Sequence, residues 1–433
     1  MNSIFIVLTL IFVILILRYS GVTRFLVYIT GITFLPFGIE LSNHLNAPRL
    51  LLFAFIISIL FHSADIKTIA KFPLRYSPIF LILSHFLTGI MDPRGSFIGL
   101  YKGINVFSET YLCILLGFVS LKGKKDIKVV FEWASVLSFI VCSYSVLCLV
   151  LGYDFYSQLI GESDSMRGSR LRIASTFFDS HVAGFAISVL LLMQTAKVVI
   201  LSKVMSIKDS MILILLLIAL FITGSRSSLL DWIIGSFVLL FPYFLYFKGY
   251  KIKWIFFVGL AASLIFILTG DYVLSKFSDA FQEEGGDTGG STMDMRLRQL
   301  EYSIYFYLKN PIWGNGFQYF WDEIKTKGGF YSSMLQGAES YIFILLIERG
   351  LVQIIAVCVF FFELIKTFMK RYRTDAYSYL AVALIAAFLT NSIVTGNLYK
   401  WPFVFPYVGL LLRLTTFKTK TNHVLLRNYT FIQ

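Results

Sequence analysis

The chain has 433 residues, 57% of them hydrophobic and 15% charged, with a formal net charge of +13. Repeated uncharged runs of about 20 residues, each able to cross a bilayer, exclude a soluble globular protein. They define an all-α, polytopic transmembrane helical bundle, so the basic charge has to be placed by topology before any other meaning is given to it.

In chain order the apolar runs predict spans at 3–17, 25–43, 48–62, 76–91, 104–121, 129–151, 176–196, 210–223, 227–247, 254–270, 339–365, 376–394 and 399–415. That is about 13 spans, within a range of about 12–14, in a single integral membrane domain covering 1–433. The first run has no basic residue before it and no small-residue cleavage site after it, so it is expected to stay as a span. Cys113, Cys142, Cys148 and Cys358 all fall inside runs, and no structural disulfide or metal cluster is expected.

Assigning alternate loops to opposite sides concentrates Lys122–Lys128, Lys197–Lys208, Lys248–Lys253 and Lys366–Arg373 on one side, which the positive-inside rule makes cytoplasmic. The net charge is then mostly topology, and no nucleic-acid partner is implied. On the opposite face arginine outnumbers lysine. Its planar fork pairs bidentately with phosphate, so that face reads as chosen for anions, with small-number chance as the plain alternative.

Two loops are long, Gly152 to Ser175 and Asp271 to Ala338, and both fall on the external side. The second contains FQEEGGDTGGSTMD (281–294), a flexible link and not a phosphate-binding loop, because no Gly-Lys-Ser/Thr follows. Next, Leu297, Leu300, Ile304 and Leu308 recur at helical spacing until Asn310-Pro311, predicting an amphipathic helix over 295–309 against the membrane exterior. Arg296, Gln299 and Ser303 share a neighbouring face, whereas Arg298 points elsewhere. From Tyr302 to Tyr331 the chain is dense in aromatics, suited to sugar rings or to a membrane-interface belt. Tyr302, Trp313 and Tyr341 are the candidates for sugar contact.

Four basic residues stand out at the external ends of these runs. Arg172 precedes a small-polar stretch entering a span. Arg226, in TGSRSSLL, is set among residues small enough to admit a ligand, and Arg296 and Arg298 open the amphipathic helix. An arginine at mid-bilayer costs about 2.5–3.5 kcal/mol on insertion scales, which external placement of Arg226 relieves. A snorkelling arginine is the plain alternative. Asp231 lies five residues on, about 140° around a helix, a poor partner for Arg226. Glu339, in AESYIFILLIERGL, stands where the long loop meets a span and is the candidate base. A helix-start acid favoured by the dipole is the ordinary reading of such a residue. Glu348 and Arg349, deeper on the same run, read as a buried ion pair or a helix-packing element.

TGSRSSLL, RLRQLEYSIYFYLKNPIWGNG and AESYIFILLIERGL stand in an order and spacing that resembles the O-antigen polymerase and ligase family of bacterial membrane glycosyltransferases. The resemblance covers mainly 165–360. It implies a GT-C-like fold, an active site on the periplasmic face of the inner membrane, and undecaprenyl-diphosphate-linked oligosaccharides as donor and acceptor. Membrane lipids and a chain-length regulator protein would be further partners. It maps diphosphate binding to Arg226, Arg296 and, less closely, Arg172, because Ser180-His181 stands where the family often has Pro-Asn. The ligase branch opens its following span with His-Asn where this chain has Glu339-Ser340. Polymerase is therefore the expected branch, with ligase and a lipid-linked oligosaccharide flippase as alternatives. No cofactor is expected, since arginines can take the place of a divalent cation.

Overall fold

In the computed structural model the described residues are 2–35, 40–42, 45–74, 76–156, 165–167, 170–177, 179–201, 205–246, 293–335, 340–372, 375–395 and 400–417. The expected span 254–270 lies outside them, as does Glu339. Every other expected span has its helix. In order these are α1 (Asn2–Arg18), α2 (Gly21–Phe34), α3 (Ala47–Phe61), α4 (Ser63–Ile69), α5 (Ser77–Ile90), α6 (Ser96–Thr110), α7 (Leu112–Ser120) and α8 (Asp126–Leu151). They continue as α9 (Ser180–Ala196), α10 (Ile207–Ile222), α11 (Arg226–Tyr246), α12 (Met293–Lys309), α13 (Phe330–Met334), α14 (Tyr341–Glu348), α15 (Gly350–Met369), α16 (Ala376–Val394) and α17 (Trp401–Thr416). Two π-helical segments, Lys197–Leu201 and Phe320–Lys325, and two short hairpins, β1 (Glu40–Ser42) with β2 (Leu45–Asn46) and β3 (Ser165–Arg167) with β4 (Arg170–Arg172), complete the described elements.

Small polar residues start the helices where the apolar runs begin. Asn46, Asp179, Ser206, Ser340 and Asp375 each accept a backbone N–H from the first turn of α3, α9, α10, α14 and α16. Among the described residues, Ser96–Ser120, Asp126–Leu151, Ser180–Leu201, Gly350–Met369 and Ala376–Val394 are long and apolar enough to cross a membrane. α3 and α4, bent by 99°, add a further candidate, and Ile4–Arg18, Gly21–Phe34 and Ser77–Ile90 are shorter apolar helices. α9 and α17 are almost wholly buried, while α1, α5 and α8 expose rows of Ile, Leu and Phe to the surroundings. Exposed rows of that kind belong on a lipid-facing perimeter.

Polar contacts between distant segments separate into two ends of the bundle. At one end Arg24 meets Asp65 at 2.5 Å, Lys122 reaches Ser20, and Lys197 joins Glu132 and Asp209. At the other, Arg94 meets Asp322, His181 meets Ser225, and Ser340 meets the Ser392 carbonyl. Each contact joins helix ends or loops that alternate crossing puts on one side.

One span departs from expectation. The run 339–365 is not a continuous helix: α14 ends at Glu348, and α15 starts at Gly350, whose φ is +63°. The turn at Pro311–Gly316 inserts at this break. Leu351 and Val352 donate to the carbonyls of Pro311 and Ile312, and Gly316 donates to that of Glu348. A Cβ on Gly350 would lie 2.6 Å from the Trp313 carbonyl carbon, and one on Gly314 2.5 Å from that of Arg349. Glycine is needed on both sides because two backbones touch. Glu348 and Arg349 therefore sit at a junction between a membrane-length helix and an overlying layer, not two turns down a straight span.

Candidate active site

Arg226 is the first residue of α11 and is partly buried. Beside it, the hydroxyls of Ser225, Ser227 and Ser228 form a cluster, with Ser225 at 2.8 Å from Ser228 and 3.5 Å from His181 Nδ1. Gly184 of α9 makes that approach: a Cβ there would lie 2.6 Å from Ser228 Oγ. The small residues of TGSRSSLL thus admit a neighbouring helix as well as leaving Arg226 at a helix N-terminus, where backbone N–H groups favour anions.

One turn inward, Asp231 is fully buried and does not need Arg226. Its carboxylate accepts from Asn391 Nδ2, while Asn391 Oδ1 and the Thr395 hydroxyl accept from Lys400 Nζ. Asn391 therefore bridges a buried acid and a buried base through a neutral amide. The charge of Lys400 also reaches Asp179, which caps α9. Below Lys400, Trp401 packs at 4.3 Å on Phe405, 4.6 Å on Phe388 and 5.2 Å on Tyr111.

The expected amphipathic helix is α12, two residues longer than expected at its start. Leu297, Ile304 and Leu308 are 55%, 43% and 65% exposed, so the apolar stripe points away from the protein. Gln299 and Ser303 are fully buried, and Arg296, on the same face, is partly buried. The helix turns its polar face inward. Arg298 is exposed on another face, as its angular position requires. Tyr302 packs edge-on to Phe330 and Tyr331, and Tyr305 stacks on Tyr331 at 5.5 Å. The Tyr331 hydroxyl and then the Lys309 ammonium hold the Tyr305 phenol below its ordinary pKa.

Tyr341 is buried edge-on to Trp401, and Trp313 is half-buried in the inserted turn. Ser340, next to Glu339, touches the Ser392 carbonyl one residue from Asn391. Arg172 lies on β4 opposite Ser165. The structure thus gathers the start of α11, the start of α9, the start of α14 and Lys400 at one end of the bundle. Asp231, Asn391 and Lys400 were not foreseen as a unit. The only signal for them was an isolated lysine between two apolar runs, in NLYKWPF. Among the described residues no group of His, Cys, Asp or Glu has the arrangement of a metal site.

The helices, the lipid-type perimeter and the polar end define a polytopic helical membrane protein. Residues 211–358 match the family model described as O-antigen ligase, a segment that contains all three motifs. The match supports the O-antigen polymerase and ligase family that those motifs resemble, and it leaves Arg172, Asn391 and Lys400 outside the matched segment. No curated protein matches the chain.

Proposed function

We infer that the protein is a polysaccharide polymerase of the O-antigen type, acting at the periplasmic face of a bacterial inner membrane. An acceptor hydroxyl on a lipid-linked repeat unit attacks the anomeric carbon of a glycan held on undecaprenyl diphosphate. The bond from that carbon to the diphosphate breaks, and the lipid diphosphate leaves. Arg226 and Arg296, with Arg172 as a further anchor, stabilise the charge growing on the leaving group, the kind of preorganised electrostatics that carries most such catalysis. Arg298, on another face of α12, is left outside this set. Glu339 takes the hydroxyl proton. The aromatic ledge of Tyr302, Tyr305 and Tyr331 offers ring faces to sugars.

The observation that carries this reading is that Ser225, the neighbour of Arg226, meets His181, Lys400 meets Asn391, and Ser340, the neighbour of Glu339, meets Ser392 at one end of the bundle. Glycan ligation is the second reading, favoured by the description of the matching family model. Against it stands Glu339-Ser340 where that branch carries histidine. The polysaccharide ladder of a deletion strain tests the choice. Loss of long chains with one-unit glycolipid retained supports polymerase, and loss of all sugar from the lipid core supports ligase or flippase.

A further inference from the structure

Arg349 is fully buried, and its Nε, Nη1 and Nη2 atoms all lack a hydrogen-bond partner in the protein. Glu348 Oε2 forms an ion pair with Arg349 Nε at 3.6 Å, beyond hydrogen-bond reach, while Glu348 Oε1 accepts from the Phe320 N–H. The guanidinium lies over the Phe317 ring at 4.5 Å, and that ring stacks on His85. A buried guanidinium with one loose ion pair and no hydrogen bond is costly, and a protein retains one where something else supplies the oxygens.

The surroundings are polar in the same unfinished way. The hydroxyl of buried Tyr111 has no partner, nor has Oε1 of Gln353, one turn further along from Arg349. The charge of Arg349 reaches both Tyr111 and Tyr341. Five guanidinium N–H donors with two phenols form a donor-rich cradle, and the free Gln353 oxygen can accept one ligand hydroxyl. The cradle sits at the α14–α15 break, under the inserted turn and beside Trp401, which adjoins Lys400.

We propose that Arg349, with Tyr111 and Tyr341, forms a further oxyanion-binding subsite, taking a phosphate oxygen or a sugar carboxylate of the lipid-linked glycan. The identity of that ligand rests on the function inferred above; the anion chemistry does not. Arginine's fork is the feature that matters, so lysine keeps the charge but not the binding.

The test uses the purified full chain and its thermal midpoint, titrated with inorganic pyrophosphate or with glucuronate at matched ionic strength. Two variants accompany the parent: Arg349→Lys, and the charge-neutral pair Glu348→Gln with Arg349→Met. The pair keeps the acceptor to Phe320 and the packing on Phe317 without leaving a buried charge. The expected result is an anion-dependent rise in the parent whose half-saturating concentration increases about tenfold or more in both variants, as loss of charge-assisted hydrogen bonds dictates. If the double variant does not fold, Arg349→Lys decides alone. Dependence on Arg349 for pyrophosphate assigns a phosphate subsite, and for glucuronate a carboxylate subsite. Equal responses in parent and variants, or none in the parent, overturn the subsite. A parent that shows the Arg349-dependent response yet transfers no glycan would instead overturn the inferred function.

Discussion

The Arg94 guanidinium donates to Asp322 at 2.7 Å and to the Phe317 carbonyl at 2.6 Å, tying the turn after α5 to the layer after α12. Lys102 joins the same carboxylate. Alternate crossing places residues 92–103 and 271–338 on one face, and Lys124 on the other. Single cysteines at Lys327 and Lys124, in a chain whose four native cysteines are replaced by alanine, should therefore react oppositely. Lys327 should label in intact cells and Lys124 only after permeabilisation; the reverse pattern would invert the whole assignment of the site.

Arg226 and Lys325 separate anchoring from surface charge. Lys325 lies over the Trp321 ring at 4.1 Å on an exposed segment, an interaction worth about 0.5–1 kcal/mol at such sites. Lys325→Ala should transfer glycan normally. Arg226→Lys should lose about tenfold or more in chain extension, since lysine cannot pair bidentately with phosphate. Measured on purified lipid-linked repeat unit, normal extension by Arg226→Lys would show that its role is structural.

Glu339 precedes Ser340, whose hydroxyl caps α14 and fixes where that helix starts. Glu339→Gln keeps size while removing the basic oxygen. Chain extension should fall by about 10²–10⁴-fold with protein level and lipid-diphosphate binding retained. Glu339→Asp should keep partial activity. Unchanged extension in Glu339→Gln would leave a helix-start acid and move the base elsewhere.

Asn391 holds Asp231 and Lys400 together without a direct ion pair. Asn391→Leu would strand Asp231 in the interior and leave Lys400 only the Thr395 hydroxyl, and breaking such an arrangement costs about 3–5 kcal/mol. Thermal unfolding in detergent should show a large drop for Asn391→Leu. Adding Asp231→Asn and Lys400→Met should recover most of it. Failure to recover would mean the network acts through packing alone.

At the helix break, Gly350→Ala meets both a positive φ and the Trp313 backbone. Strain of a non-glycine residue there is about 1–3 kcal/mol before the clash is counted. Protease cutting near the Pro311–Gly316 turn should speed up in this variant, because the turn loses its seat. An unaltered cleavage rate would show that the docking tolerates displacement.

The sequence by itself determined the helical membrane class, the positions of most of the helices and the amphipathic helix α12. Those features depend on local hydropathy and helix periodicity, both of which act over a few turns. It also excluded Asp231 as a partner for Arg226 from angle alone. Only the tertiary structure decided that Asp231 belongs with Asn391, 160 residues away, and through it with Lys400. The same holds for α12, whose polar face turns inward, and for 339–365, which breaks at Gly350 because a turn from another segment hydrogen-bonds into the gap. A read of periodicity sees one apolar run there, since Glu348 and Arg349 interrupt it too briefly to end a span. Whether a buried charge finds acceptors depends on what packs over it from distant parts of the chain. Arg349 keeps the ion pair with Glu348 that the sequence suggested, at 3.6 Å, but that packing leaves its three nitrogens without a hydrogen bond.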